Sequence, residues 1–169
     1  MLKFFKYLGA CLVLFAAAMV AHAEEVDTDT FTAKYNVDGF KLLDVSMYPS
    51  SMAIKVGHDE MGEFELRVID RSGSLSKFTP EQWLQTIRQN SSKNLGAKLS
   101  EPDWSIDCYI LRGNDAKGND VLVFVTFNKA GDKLSILTSI CNDEMSDLLP
   151  VYFNHHFTAK DPTLFTTFM

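Results

Sequence analysis

The chain has 169 residues, 46% of them hydrophobic, and a formal net charge of −6 at pH 7. This length suits a single domain with one sizeable core, and the acidic balance argues against binding to nucleic acid or to an anionic membrane surface. The composition also excludes collagen, coiled coils, disulfide-dense mini-proteins and intrinsically disordered chains.

Residues 1–23 have the three parts of a secretion signal in the expected order. Lys3 and Lys6 give a positive start, 8–20 are predominantly apolar, and Ala21-His22-Ala23 supplies the small residues that precede a cleavage site. The apolar stretch is shorter than the ~20 residues that span a bilayer. We therefore predict a periplasmic or secreted protein that is cleaved after Ala23 and has no membrane span. Loss of two lysines lowers Lys plus Arg from 16 to 14 against 22 Asp plus Glu, which makes the mature net charge −8.

A second interpretation of this segment is a lipoprotein signal. Leu8-Gly9-Ala10-Cys11 resembles a lipobox, whose cysteine becomes the lipidated N-terminus. A lipobox follows the hydrophobic stretch, whereas most of that stretch comes after Cys11 here. Cys11 is therefore interpreted as an apolar residue within a cleaved signal.

The mature chain contains several strand patterns. Residues 24–30 are polar and without periodicity, which predicts a flexible segment there and a single domain over 31–169. Asp38-Gly39 favours the positive φ angles of a two-residue type I′ turn, so we predict a first hairpin between 31–37 and 40–47. Further strands are predicted at 52–56, 63–70, 104–112, 120–128 and 133–141, the last three as an antiparallel meander.

Two helices are predicted. Thr79-Pro80-Glu81-Gln82 matches a capping box with proline at the first helical position, and Gly96 can end the helix, which gives a helix over 80–95. The second helix follows Cys141, where Asn142-Asp143-Glu144 places acids at a helix start. Its apolar spacing comes from Leu148, Leu149, Tyr152, Phe153 and Phe157, and the tail is expected to pack through Leu164, Phe165, Phe168 and Met169.

The predicted fold class is α+β, an antiparallel sheet of about six to seven strands with two main helices packed on it. The strand over 120–128 is apolar on both faces, which predicts a central strand covered on both sides. This order of elements between Phe31 and Thr158 resembles the Mog1/PsbP-like sandwich family, which includes small exported bacterial proteins similar to the DcrB family. The resemblance implies an accessory or binding protein without an active site, and it transfers no catalytic residue.

Two cysteines remain after export, and an oxidising compartment makes a Cys108–Cys141 disulfide the first hypothesis. The predicted meander places Cys108 opposite Phe124 and Phe124 opposite Leu137. The two cysteines then lie two strands apart and four residues out of line, at a Cα separation of about 16 Å. A disulfide requires roughly 4.4 to 6.8 Å, so the pairing disfavours the bridge, although a bulge or a different strand order would permit it.

Motifs of the common enzyme and cofactor-binding classes are absent from the sequence. It has no Gly-x-Ser-x-Gly, no His-Glu-x-x-His, no Cys-x-x-Cys, no P-loop and no dinucleotide fingerprint, so we predict no catalytic residue and no cofactor. His58, Asp59 and Glu60, with Glu63 close by, are metal-capable residues in one short loop, but we favour a solvated turn, because loops are usually polar for solubility alone.

His155 and His156, near Asp161, are the other metal candidates, although basic residues at the end of a helix are expected without any metal. Trp83 and Trp104 are candidates for a ligand groove, but large inward aromatics usually belong to a core.

The predicted function is an exported, non-enzymatic binding protein, such as a carrier, an envelope accessory protein, or an inhibitor or immunity protein. If both helices cover one face of the sheet, the other face remains for the N-terminal strands, a small apolar ligand or a partner protein. That face would carry the ligand-binding candidates Trp104, Phe124 and Leu137, together with Ile106 and Leu122. The alternative is a small exported enzyme whose histidine and carboxylate meet from separate strands.

The signal interpretation gives a direct expectation for the exported protein. Intact-mass and N-terminal peptide spectrometry should find a chain that starts at Glu24. A chain that starts at Cys11 and carries lipid would contradict cleavage after Ala23.

Overall fold

In the part of the chain that the structure describes, the fold consists of two antiparallel sheets, two α-helices and a short 3-10 helix (Gly73–Lys77). The structure, a computed structural model, describes residues 24–105, 107–142 and 149–165. Among them, the α-helices are α1 (Pro80–Leu95) and α2 (Leu149–His156), and the strands are β1 (Glu24–Asp27), β2 (Phe31–Tyr35), β3 (Lys41–Tyr48), β4 (Ser51–His58), β5 (Gly62–Asp70), β6 (Asp103–Ser105), β7 (Cys108–Asn114), β8 (Asp120–Phe127), β9 (Lys133–Cys141) and β10 (Phe157–Ala159). The predicted signal, Ile106, Asp143-Glu144, Leu148, Phe168 and Met169 lie outside the described residues.

The main sheet has seven strands in the order β3-β4-β5-β9-β8-β7-β6, and a small sheet has the order β1-β2-β10. All neighbouring strands are antiparallel. The predicted α+β class, with its sheet of six to seven strands, is therefore confirmed.

The core lies on both faces of the main sheet, as the two-faced pattern of β8 predicts. On one face, Val121, Val123 and Val125 pack under α1. On the other face, Phe124 belongs to a second cluster that the small sheet, α2 and the C-terminal segment help to form. The two helices thus lie on opposite faces of the main sheet.

Helix α1 has the predicted bounds because its ends carry specific caps. The Thr79 hydroxyl accepts a hydrogen bond from the Gln82 backbone N–H at 3.3 Å, and the Gln82 side chain accepts one from the Thr79 N–H at 2.9 Å. Gly96 adopts φ 62°, the left-handed conformation that ends many helices. Such an N-cap stabilises a helix by about 1 kcal/mol.

The turn at Asp38-Gly39 forms as predicted, but the hairpin pairing was wrong. Asp38 and Gly39 have φ of 51° and 81°. Beyond the single bridge between Val37 and Phe40, the two strands separate, because β2 joins the small sheet and β3 joins the main sheet. Asn36, with φ 57°, turns the chain at the end of β2, so the turn connects two layers of the fold.

The segment predicted to be flexible forms a strand. Glu24 to Asp27 pair with β2 as β1, and Asp27 forms an ion pair with Lys160 at 2.9 Å. Three of the four residues of β1 are exposed, so the strand shows no apolar alternation that a sequence pattern could reveal. Pairing of the β1 backbone with β2 holds these residues in a strand.

The predicted strand over 104–112 is two strands. Asp107 adopts φ 65° at a tight turn, which folds β6 back on β7 and places Trp104 opposite Tyr109. An aspartate tolerates this conformation better than most residues. The predicted pairing of β8 with β9 is confirmed by Phe124 opposite Leu137.

The predicted pairing of β7 with β8 was wrong by two residues, because Tyr109 lies opposite Val125 and the strand continues to Asn114. A shift of two residues keeps every side chain on its face, which is why the burial pattern alone does not reveal it.

Cys108 and Cys141 are buried and are not joined to each other by a disulfide. Cys141 lies opposite Asp120, and the pairing of β7 places Cys108 level with Thr126, six residues further along and two strands away. This corresponds to a Cα separation of about 22 Å. Burial raises the pKa of the Cys108 thiol, and the Asp107 carboxylate raises it further.

The C-terminal region departs from the predicted long helix. Phe157, which the helical spacing includes, begins β10 and lies opposite Ala33 of β2. The tail packs as expected at Leu164 and Phe165, which are buried, and the Ser135 hydroxyl donates a hydrogen bond to the Leu164 carbonyl at 2.7 Å.

The strand order predicts how the cysteines react. A chain that starts at Glu24, and therefore lacks Cys11, should show two thiols in denaturant. It should react slowly with a thiol reagent under native conditions, because Cys108 and Cys141 are buried and the pKa of Cys108 is raised. Absence of thiols in denaturant would contradict the strand order.

Candidate functional site

The structure separates the three residues that the sequence proposes for ligand binding. Phe124 and Leu137 are 8% and 4% exposed and lie in the core beneath the small sheet and the C-terminal elements. Trp104 is 58% exposed, and its pairing with Tyr109 places it on the α1 face, at the sheet edge. The face that carries Phe124 and Leu137, which was the candidate for a ligand, is covered by the N-terminal strands. Leu122 is half-buried on that face.

A cavity that the sequence did not reveal lies beside α1. We call it the α1 cleft; its volume is about 370 Å³, and it runs between α1 and the part of the main sheet formed by β4, β5 and β9. Its lining residues are Lys55, Glu63, Glu65, Arg67, Ile69, Trp83, Thr86, Ile87, Asn90, Ser91, Asn94, Leu95, Ile136, Thr138 and Ile140.

The floor of the α1 cleft is apolar, and its helix wall is uncharged and combines polar side chains with apolar ones. Ile69, Ile136 and Ile140 are half-buried on the sheet. Asn90 and Asn94 are four residues apart and therefore lie on one side of α1, above this floor. Their amides can both donate and accept hydrogen bonds.

The opposite wall carries two cations and two carboxylates in ion pairs. Lys55 Nζ lies 2.6 Å from Glu63, and Arg67 donates to Glu65 through Nη2 at 3.0 Å and Nε at 3.2 Å. The alternation of β5 produces this wall, since Glu63, Glu65 and Arg67 occupy every second position. The sequence signal was present, but it indicated only a half-buried strand.

Trp83 closes one end of the helix wall. It is 9% exposed and packs against Phe78, with ring centroids 5.6 Å apart. Its indole Nε1 is buried and has no hydrogen-bond partner among the described residues. Trp83 therefore belongs both to the core and to the α1 cleft.

The loop that carries His58, Asp59 and Glu60 is held by contacts within the protein. His58 Nδ1 accepts hydrogen bonds from the backbone N–H groups of Glu60 and Met61 at 3.1 and 3.2 Å. Asp59 forms an ion pair with Lys41 at 3.2 Å. In the part of the chain that the structure describes, no three His, Cys, Asp or Glu side chains are grouped as metal ligands.

His155 and His156 have different surroundings from each other. His155 Nδ1 lies 2.9 Å from the Asp38 carboxylate, and both side chains are about half exposed. This pair joins α2 to the turn after β2, and neither residue lines the α1 cleft. Asp161 is hydrogen-bonded to Thr163 and Asn128 instead of lying with the histidines.

His156 is 1% exposed and stands among aromatic rings, with its centroid 4.7 Å from that of Phe40. Its Nδ1 donates to the Lys34 carbonyl at 2.9 Å, because a carbonyl can only accept. Nε2 is buried without a hydrogen-bond partner among the described residues. Burial lowers the pKa of His156, against the smaller raising effects of the Lys34 carbonyl and Asp38, and His155 lowers it slightly.

Comparisons with known proteins define the fold. No protein-family model matches the chain, and no curated protein sequence matches it. The solution structure of cyanobacterial PsbP (CyanoP) from Synechocystis sp. PCC 6803 is similar, with a TM-score of 0.52 and 13% identity, over 85% of this chain and 95% of that one. The chain therefore has the PsbP-like architecture that its element order predicts. None of the described helices is long and apolar enough to cross a membrane.

The environment of His156 predicts a pH dependence of stability. Because its folded pKa lies below its unfolded value, the unfolded state binds the proton first as the pH falls, and the free energy of unfolding decreases below about pH 6.5. Urea unfolding at pH 7.5, 6.5 and 5.5 measures this decrease. We expect His156→Asn to reduce it and the control His155→Asn to keep it; an equal slope in the His156 variant would contradict the assignment.

Proposed function

We propose that the chain is an exported, non-enzymatic binding protein of the carrier type, which holds a small amphipathic molecule in the α1 cleft. One observation carries the proposal: three half-buried isoleucines form the floor of a cavity whose walls offer amides and paired charges. Contiguous apolar surface that stays accessible at the bottom of a cleft favours a ligand that covers it.

The size and chemistry of the α1 cleft limit the ligand. A volume of about 370 Å³ is at the lower end of the ~300–1,000 Å³ typical of small-molecule sites. The two cations and two carboxylates of the wall give it no net charge. A ligand with a high net charge would therefore find no excess of opposite charge in the cleft. A compact apolar body with one or two polar groups fits best.

The ion pairs in the charged wall of the α1 cleft favour a binding function over a catalytic one. The charged groups of the cleft already hold each other in ion pairs at 2.6 and 3.0 Å. The alternative function, a small enzyme with a histidine and a carboxylate from separate elements, has one specific observation in its favour, the surface pair of His155 and Asp38. Loss of a measured hydrolytic activity in His155→Asn would favour it.

Export remains part of the proposal and rests on the signal pattern of 1–23. A carrier in the periplasm or outside the cell would work without a nucleotide or a redox cofactor. The shared architecture with CyanoP is compatible with an accessory role, although a fold alone does not determine function.

A fluorescent probe tests the cleft. 1-Anilinonaphthalene-8-sulfonate has an apolar ring system and one anionic group, and we expect the purified chain to bind it with energy transfer from Trp83. The variant Trp104→Phe leaves Trp83 as the single tryptophan, so the transfer can be assigned to the cleft.

Filling the cleft should weaken this binding. Thr138→Phe adds a ring on the cleft floor and should raise the Kd of the probe by about tenfold or more. The matched control is Thr158→Phe, at an exposed threonine of β10, which should leave the Kd unchanged. Circular dichroism verifies that both variants fold. Equal binding by Thr138→Phe and the unmodified chain would reject the cleft as the site.

A further inference from the structure

A row of aromatic rings crosses the edge of the main sheet on the α1 face, away from the α1 cleft. The ring of Trp104 stands edge to face on Tyr109 with centroids 4.7 Å apart, and Tyr109 meets Phe127 at 6.3 Å. None of the three lines the cleft. Trp104, at the outer end of the row, is the most exposed tryptophan of the chain.

The inner end of this row is fixed by a buried arginine. The guanidinium of Arg71 lies over the Phe127 ring at 5.0 Å. Its Nη1 and Nη2 donate to the carbonyls of Gly131 and Phe78 at 2.8 and 3.0 Å. The rings are therefore held in place before any partner arrives, which reduces the entropy lost on binding.

Strand β6 offers its backbone at the same place. It is the last strand of the main sheet, and its outer edge has no strand partner among the described residues. Exposed strand edges can accept an extended segment of another protein through main-chain hydrogen bonds. The neighbouring side chains then decide which segments are accepted.

The charges at this edge are negative and unpaired. Asp103 and Asp107 are exposed and have no ion pair within the described part of the chain, whereas Glu101 is paired with Arg88. Residues 101–111 contain no lysine or arginine, and the exposed Arg112 of β7 is the first cation after them. An acidic segment would be repelled here, and a basic one would be attracted.

We propose that β6, together with Asp107, docks an extended, basic segment of a partner protein. In such a pairing, residues opposite each other share a face of the sheet. A basic side chain opposite Asp103 would meet its carboxylate, and an apolar side chain opposite Trp104 would cover the indole. The recognised pattern is therefore an alternation of basic and apolar residues, and this surface is independent of the cleft ligand proposed above.

Synthetic peptides test this docking surface. Calorimetric titration of the purified chain with a blocked six-residue peptide that alternates lysine and valine should give saturable binding, and binding should weaken as salt rises from 20 to 200 mM. A peptide that alternates glutamate and valine should bind at least about tenfold more weakly. Equal binding of the two peptides, or no binding of the lysine peptide, overturns the proposal.

Variants locate the binding surface on the molecule. Asp103→Asn with Asp107→Asn removes both charges, and asparagine tolerates the positive φ at position 107. This double variant should raise the Kd of the lysine peptide by about tenfold, and Trp104→Ala should do the same while Trp104→Phe restores part of the affinity. The control is Met47→Ala, at an exposed apolar residue of the opposite edge strand β3. A similar loss in Met47→Ala would place binding elsewhere and overturn the proposal.

Discussion

The two-faced strand β8 is the constraint on which the rest of the structure depends. Val123 and Phe124 point to opposite faces and are both buried, so each face of the main sheet needs a cover. A helix is about 10–12 Å across, whereas seven strands span about 29 Å. A single helix, α1, therefore covers only part of its face, and the uncovered part beside it becomes the α1 cleft.

The other face is closed by a wider cover. The small sheet, α2 and the C-terminal segment together bury Phe124 and Leu137, and the carbonyl of Leu164 is hydrogen-bonded to Ser135 beneath it. The two faces of the main sheet therefore differ in how completely they are covered. The closed face contributes stability, and the half-covered face and its edge carry the exposed Trp104 and the charged wall of the cleft.

Local patterns could be predicted where the deciding interactions are close in sequence. The capping box from Thr79 and the stop at Gly96 determine α1 within one helix. The short β8–β9 connection determines which residues of these strands face each other. The β6–β7 hairpin could not be predicted, because its turn depends on Asp107 in a left-handed conformation within an otherwise regular strand pattern.

By itself, the sequence determined the α+β class, helix α1 and the two-faced central strand, since each depends on periodicity or capping over a few residues. The signal over 1–23 stays a prediction. Only the tertiary structure decided that β2 leaves the main sheet, that Phe124 and Leu137 are covered, and that Lys55 and Glu63 form an ion pair beside α1. These features depend on which layer covers which face. The arrangement of the layers depends on the total apolar surface that residues far apart in the sequence bury together. It therefore cannot be read from any short segment.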